Sequence, residues 1–160
     1  MPTLREQVEI DASPHHVWQV LADVTLLPEL SSSTTEVRAD GLLARVGQTF
    51  EQTVRLAGRS WTSTWQVDEI DPGQLLRIAG SLPGGTPYRM AQRLDGLGGG
   101  RSRLVIEASY ELPMGSLGRL ASRLGVERRA RNELREVLEG VARMSAEIER
   151  GTPTSAGATP

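Results

Sequence analysis

The chain has 160 residues, with 18 basic residues against 20 acidic ones and no cysteine. This length suits one domain with a sizeable apolar core, and the formal net charge of -2 gives no general attraction to nucleic acid or anionic membranes. The absence of cysteine excludes disulfides, thiolate catalysis and cysteine-bound zinc. No apolar run resembles a signal peptide or a membrane span, so we expect a cytoplasmic protein without stable membrane insertion.

The first predicted elements are a strand and two short helices. Apolar Leu4, Val8 and Ile10 alternate with polar residues, which is the period of a half-buried strand. Pro14 follows a potential cap and suits the first position of a helix. The stretch 24–30, which contains a proline, predicts a second short helix.

Six further strands are predicted between residues 34 and 112. In each of them one face is apolar and the other polar, which is typical of a sheet with one buried face. On the first of these strands the apolar face holds Thr35, Val37 and Ala39. Because only short turns separate the later strands, we expect neighbours to pair antiparallel.

A long amphipathic helix closes the predicted domain. Apolar residues recur at steps of three and four from Ala130 to Ile148, which predicts a helix over about 126–150, after a separate helical turn that meets Gly125. At the helical rise this helix is roughly 35 Å long, enough to cross the sheet as a lid. We therefore expect one domain over residues 1–150 and a disordered tail over 151–160, which is rich in Gly, Pro, Ser and Thr.

This order of elements is that of an α+β helix-grip fold, with a seven-stranded curved antiparallel sheet around a C-terminal helix. Over residues 3–150 the chain resembles the START-related lipid-transfer superfamily, also called SRPBCC, and in particular its polyketide cyclase/dehydrase-like branch. The segments that carry the resemblance include Val8-Glu9-Ile10-Asp11-Ala12-Ser13-Pro14, Thr64-Trp65-Gln66-Val67 and Tyr110-Glu111-Leu112-Pro113. The superfamily holds carriers, cyclases, hydrolases and chaperone regulators, so the resemblance implies a fold more than an activity.

The predicted inner face of the sheet and the facing stripe of the helix carry aromatic and amide side chains as well as aliphatic ones. A mostly apolar cavity with a few polar groups is typical of small-molecule sites, whereas a solid core is the alternative. The candidate ligand-binding residues are Phe50, Gln52, Val54, Trp61, Ser63, Trp65, Ile78, Tyr88, Met90, Gln92, Ile106, Tyr110, Leu134, Leu138 and Val141. We expect ligand access at the turn 57–59, the loop 83–87 or the junction 114–116, because glycine-rich loops open at little cost.

The first functional hypothesis is a carrier or sensor for a small hydrophobic molecule such as a lipid, quinone or polyketide. The predicted inner face of the sheet has no His, Asp, Glu or Lys, which favours binding over turnover. No cofactor is expected. A metal site is not expected either, because the adjacent His15 and His16 do not share a helix face.

Two alternatives stay open. The resemblance implies an aromatase/cyclase acting on a polyketide-like intermediate, with Tyr88 and Tyr110 as candidate hydrogen-bond donors. A protein-binding regulator could instead use the arginines of the terminal helical region, although a solvated helix face explains them more simply. These arginines are Arg119, Arg123, Arg128, Arg129, Arg131 and Arg135.

Overall fold

A seven-stranded antiparallel sheet forms one layer of the molecule. The computed structural model describes residues 3–82, 85–110 and 119–151. The strands are β1 (Thr3–Ile10), β2 (Thr34–Arg38), β3 (Thr49–Leu56), β4 (Arg59–Asp71), β5 (Leu75–Leu82), β6 (Thr86–Gly98) and β7 (Arg101–Tyr110). Their order across the sheet is β1-β7-β6-β5-β4-β3-β2, so every consecutive pair except β1 and β2 forms a hairpin. The predicted antiparallel sheet is confirmed.

The connection from β1 to β2 is helical, as the sequence predicts. It consists of α1 (Pro14–Ala22), a 3-10 turn (Val24–Leu26) and α2 (Leu27–Leu30). Pro14 occupies the start of α1, where a backbone N–H has no hydrogen-bond partner within the helix, so the helix loses nothing by the absence of this group in proline. These short elements lie beside the sheet and face the long terminal helix.

The terminal helix, α3 (Arg119–Gly151), is continuous over 33 residues and therefore about 50 Å long. The expected break at Gly125 is wrong, because this glycine lies inside α3. An exposed glycine weakens a helix by about 1 kcal/mol, which is too little to end one with this many other helical residues. The expected tail over 152–160 lies outside the described residues.

Two of the arginines on α3 hold the helix to the sheet. Arg131 Nη1 donates a 2.6 Å hydrogen bond to Glu6 Oε1 on β1, and Arg135 Nε lies 3.5 Å from the same oxygen. Partial burial opposes ionisation of Glu6, but the two guanidiniums together hold its pKa below the usual range. These two arginines therefore have an intramolecular role, and a protein partner for the others stays a prediction.

Acidic residues on α3 bind the loops around the short helices. Glu136 accepts hydrogen bonds from Ser32 N at 2.5 Å and Ser32 Oγ at 3.1 Å, just after α2. Near the C-terminal end of α3, Glu149 accepts a hydrogen bond from Ser13 N at 3.2 Å. Glu149 also forms a hydrogen bond with His16 Nδ1, at the start of α1. These contacts fix α3 over the short helices at two separated points.

The core lies between the sheet and α3, and the predicted apolar stripe of α3 faces it. Leu134, Leu138 and Val141 are all at most 3% exposed.

One strand departs from the predicted parity: Thr34 of β2 is buried, whereas Thr35 is exposed. The cause is a register shift in the β2–β3 pairing between Thr34 and Glu36. Within the described residues, no helix has the length and apolar character needed to cross a membrane.

Candidate functional site

A cavity of about 400 Å³ lies between the inner face of the sheet, the short helices and α3. It is partly open to solvent, and most of its wall is apolar. This volume falls in the range of small-molecule sites. The alternative of a solid core therefore does not hold for this chain.

Most of the sequence-predicted candidates line this cavity. They are Phe50, Gln52, Val54, Ser63, Trp65, Ile78, Tyr88, Met90, Gln92, Ile106, Tyr110, Leu134 and Val141. Sequence parity places these residues together because alternate residues of a strand share one face of the sheet. Their binding of a ligand stays a prediction.

The structure places two candidates elsewhere. Trp61 is 37% exposed and does not line the cavity, although Ser63 and Trp65 on the same face of β4 do. Leu138 is 2% exposed and belongs to the closed core, so other side chains cover it. Parity and helical periodicity identify the buried face but do not show which part of it stays unfilled.

Four aromatic rings form a row across the cavity wall. Phe50 and Trp65 stack with centroids 6.4 Å apart, and Trp65 meets the edge of Tyr88 at 5.5 Å. Tyr88 in turn stacks on Tyr110 at 6.4 Å. These residues come from β3, β4, β6 and β7, so the row runs perpendicular to the strands. Such a surface suits contact with the face or edge of a flat apolar molecule.

The helical connection supplies a part of the wall that the sequence reasoning missed. The residues it contributes are Val20, Leu21, Asp23, Val24, Leu27, Leu30, Ser31 and Ser33. The apolar spacing within α1 indicates a buried side, so a signal was present. The sequence did not show that this side faces an open space.

Charged groups also reach the cavity, and they come from the helices. The sheet face itself has none, as expected, but Asp23, Arg129 and Glu133 contribute to the lining. Glu133 Oε2 accepts a 3.0 Å hydrogen bond from Ser31 Oγ. Within the described ranges Glu133 forms no salt bridge, so this carboxylate can still accept a hydrogen bond from a ligand.

Tyr88 is held in its neutral form. Burial raises the pKa of Tyr88, and the nearby Tyr110 and Glu133 raise it further. The phenol therefore stays protonated at neutral pH and can donate a hydrogen bond. A ligand carbonyl or a developing enolate oxygen is a suitable acceptor for such a donor.

The cavity extends toward two of the turns predicted as points of ligand access. Leu56 and Leu82, the last residues of β3 and β5, line it. The first of these turns continues through Ala57 and Gly58, which both have positive φ. Residues 83–84 and the junction 114–116 lie outside the described residues, so access there stays a prediction.

No group of three or more His, Cys, Asp or Glu side chains that could hold a metal ion occurs in the part of the chain that the structure describes. His15 and His16 have ring centroids 5.5 Å apart, but His16 engages Glu149.

Comparison with solved structures shows the same fold. The chain is similar to the Zhui aromatase/cyclase from Streptomyces sp. R1128, with 23% sequence identity, a TM-score of 0.74 and 99% of each chain covered. It is also similar to TTHA0849 from Thermus thermophilus, with 17% identity, a TM-score of 0.71, and 92% of this chain and 99% of that chain covered. The di-domain ARO/CYC StfQ from the steffimycin biosynthetic pathway is similar at 13% identity and a TM-score of 0.76, over 94% of this chain and 52% of that chain. Likeness at these identities shows the fold alone.

A search of curated proteins finds no match to this chain. The family model described as polyketide cyclase / dehydrase and lipid transport matches residues 1–146, which is most of the sequence. The chain therefore belongs to this polyketide cyclase/dehydrase and lipid transport family.

Proposed function

We propose that the protein binds a small hydrophobic molecule in the cavity between the sheet and α3 and acts as its carrier or sensor. The observation that carries this proposal is the open, mostly apolar space of about 400 Å³ with a row of aromatic rings along one wall. Family membership supports the same general role.

The energetics favour a ligand that is apolar but carries some polar groups. Burying roughly 250 Å² of apolar ligand surface stabilises a complex by about 6 kcal/mol. Much of this is offset by the loss of translational and rotational freedom on binding. Hydrogen bonds to groups such as Glu133 and Tyr88 therefore decide whether the affinity reaches the micromolar range.

Tryptophan fluorescence tests the proposal, because the three tryptophans differ in position. Trp65 lines the cavity, whereas Trp18 and Trp61 do not. In a variant that carries Trp18→Phe and Trp61→Phe, we expect saturable quenching of Trp65 by 1-hydroxyanthraquinone, a flat three-ring phenol. Trp65→Phe, which keeps the other two tryptophans, serves as the control and should show little saturable quenching. Equal quenching in both proteins, or none in either, would contradict binding in the cavity.

An aromatase/cyclase is the second candidate, and Glu133 favours it. The sequence offered no proton acceptor, whereas the structure places a carboxylate in the lining together with Tyr88 and Tyr110. In this hypothesis Glu133 removes a proton from a methylene between two ketones, and a tyrosine hydroxyl stabilises the enolate oxygen. The enolate carbon then bonds a second carbonyl carbon, the alkoxide takes up a proton, and loss of water completes the ring.

Turnover of a poly-β-ketone made in situ by a ketosynthase would test this candidate. Glu133→Gln should lower the cyclisation rate by about 100-fold or more, since general base catalysis contributes on that scale. Glu139→Gln, an exposed change on the same helix, is the matched control. Tyr88→Phe and Tyr110→Phe test the donors. An unchanged product profile in Glu133→Gln would remove the proposed base.

A further inference from the structure

β5 has a glycine, Gly80, at the point where the aromatic row crosses that strand. Gly80 pairs with Tyr88 on β6, and the neighbouring Ala79 pairs with Gln66 on β4. This register places Gly80 beside Trp65, between two rings of the row. Trp65 and Tyr88 therefore meet across a strand that has no side chain at this position.

The Trp65 indole occupies the space that a side chain at position 80 would need. A Cβ built on Gly80 would lie 2.6 Å from Trp65 Cε3 and 2.7 Å from Trp65 Cδ2, far inside normal contact distance. Gly80 is not among the glycines with positive φ, so its backbone conformation does not itself require glycine. Packing against the indole is the main feature that does, and the backbone oxygen of Thr64, 3.0 Å from such a Cβ, adds to the crowding.

Packing alone holds the indole in place. Trp65 Nε1 is buried and has no hydrogen-bond partner among the described residues. Phe50 stacks with the ring, and Tyr88 meets it in a T-shaped arrangement. A side chain at position 80 would push the indole off β5, and because its neighbours restrict sideways movement, the ring would move into the cavity.

We propose that Gly80 is a specificity-determining residue, which lets the Trp65 indole lie against β5 and thereby sets the depth of the cavity. This inference rests on the proposed binding of a ligand in the cavity. It predicts that a side chain at position 80 excludes large flat ligands before small ones, because the space lost lies along the aromatic wall.

The test compares Gly80→Ala with Gly125→Ala, whose added Cβ would meet nothing within 4 Å. Binding of 2-naphthol and 1-hydroxyanthraquinone is measured by calorimetry. We expect Gly80→Ala to weaken binding of the three-ring compound by about tenfold and of the two-ring compound by less than about threefold. The double variant Gly80→Ala with Trp65→Phe provides a smaller ring at position 65, so it should recover most of the lost affinity and also guards against a general folding defect.

A ligand-free readout separates this inference from the proposed function. In the background that keeps only Trp65, Gly80→Ala should shift the tryptophan emission and raise its quenching by acrylamide. Unchanged emission, or equal loss for both compounds in a folded variant, would overturn the role of Gly80 while leaving ligand binding intact. If the unmodified protein binds neither compound, both the proposed function and the size selectivity fail. A shifted Trp65 emission in Gly80→Ala would still show that Gly80 positions the ring.

Discussion

Tyr88 and Tyr110 are the only two tyrosines of the chain, and both line the cavity. Tyr88 is 7% exposed and Tyr110 is 1% exposed. Burial favours the neutral phenol over the phenolate, because the charged form loses its hydration. At neutral pH the cavity therefore presents the neutral hydroxyl of Tyr88, and the side chains of Tyr110 and Glu133 lie in the same lining.

The raised pKa of Tyr88 gives a prediction for alkaline titration. In a Tyr110→Phe variant Tyr88 is the only tyrosine, and its absorbance near 295 nm reports the phenolate. Because its pKa in the folded state lies above the ordinary value of 10.0, we expect no phenolate at pH 10 while the protein stays folded. The stability that depends on the neutral phenol is fully present below the pKa that Tyr88 has in the unfolded chain. It is lost as the pH rises from that value toward the higher pKa of the folded state, so alkali should unfold the protein as Tyr88 ionises.

Circular dichroism recorded on the same samples is the control for folding. Half-formation of the phenolate at pH 10 in a protein with native circular dichroism would show that Tyr88 is not desolvated. In that case the aromatic wall would be in contact with water rather than closed against the core.

Sequence reasoning at the level of residues succeeded where a period of two or 3.6 decides the outcome. Phe50, Gln52 and Val54 all line the cavity, because alternation along a regular strand fixes their face. It failed at Thr35, where a register shift in the pairing reverses the face, and at Trp61, which has the expected parity but lies near the start of β4, outside the cavity. The register shift depends on pairing with another strand, and the extent of the cavity depends on tertiary packing; the local pattern encodes neither.

Two glycines of α3 lie in opposite environments. A Cβ at Gly140 would lie 2.9 Å from Leu30 Cδ2 and 3.2 Å from Leu30 Cα, whereas one at Gly125 would meet nothing within 4 Å. Gly140 thus allows α3 to pack closely against α2. The partner of this glycine is visible only in the structure.

We predict opposite effects of alanine at these two positions. Gly125→Ala should stabilise the protein by up to about 1 kcal/mol, because alanine is the better helix former at an exposed site. Gly140→Ala should destabilise it by about 1 to 3 kcal/mol, because the methyl group crowds both the side chain and the backbone of Leu30 at the end of α2. Urea unfolding at neutral pH measures both changes. Stabilisation by Gly140→Ala would contradict the close packing of α2 and α3.

The contact between α1 and the end of α3 gives a prediction of pH dependence. Hydrogen bonds from the side chain of His16 and the backbone of Ser13 lower the pKa of Glu149 below the ordinary value of 4.5. A carboxyl group with a lowered pKa stabilises the folded state at pH values above its pKa in the unfolded chain. This stabilisation is lost as the pH falls through the pKa of the folded state. Glu149→Gln should therefore reduce the urea midpoint near pH 7, and this effect should diminish progressively as the pH falls below 4.5.

Glu147→Gln, an exposed change two residues away, is the control for this measurement. It should leave the urea midpoint unchanged at both pH values. An equal loss at neutral and acid pH in Glu149→Gln would mean that the carboxylate charge does not link the helices.

Elements were predicted better than their ends. The strands, the short helices and the terminal helix all appear in the predicted order. The start of α3 was misplaced because Gly125 was taken as a boundary, although a single glycine only weakens a helix. The contribution of the short helices to the cavity was missed because it depends on tertiary packing, which leaves no distinct period in the sequence.

The whole fold leaves an open space between the sheet and α3, although a filled core would be more stable. Filling such a volume with side chains would gain contacts, so a cavity of about 400 Å³ costs stability unless a bound molecule fills it. The residue types of the sheet face and of the helix stripe are compatible with either a cavity or a solid core. The size of the cavity and the place of Glu133 within it required the structure.

Methyl resonances of methionine test the central claim most directly. Met90 lines the cavity, while Met144 packs against the core without lining it. In protein labelled with ¹³C at the methionine methyl groups, titration with 1-hydroxyanthraquinone should shift the Met90 signal saturably and leave that of Met144 nearly unchanged. A Met90 signal that stays fixed throughout the titration, or a shift confined to Met144, would contradict ligand binding between the sheet and α3.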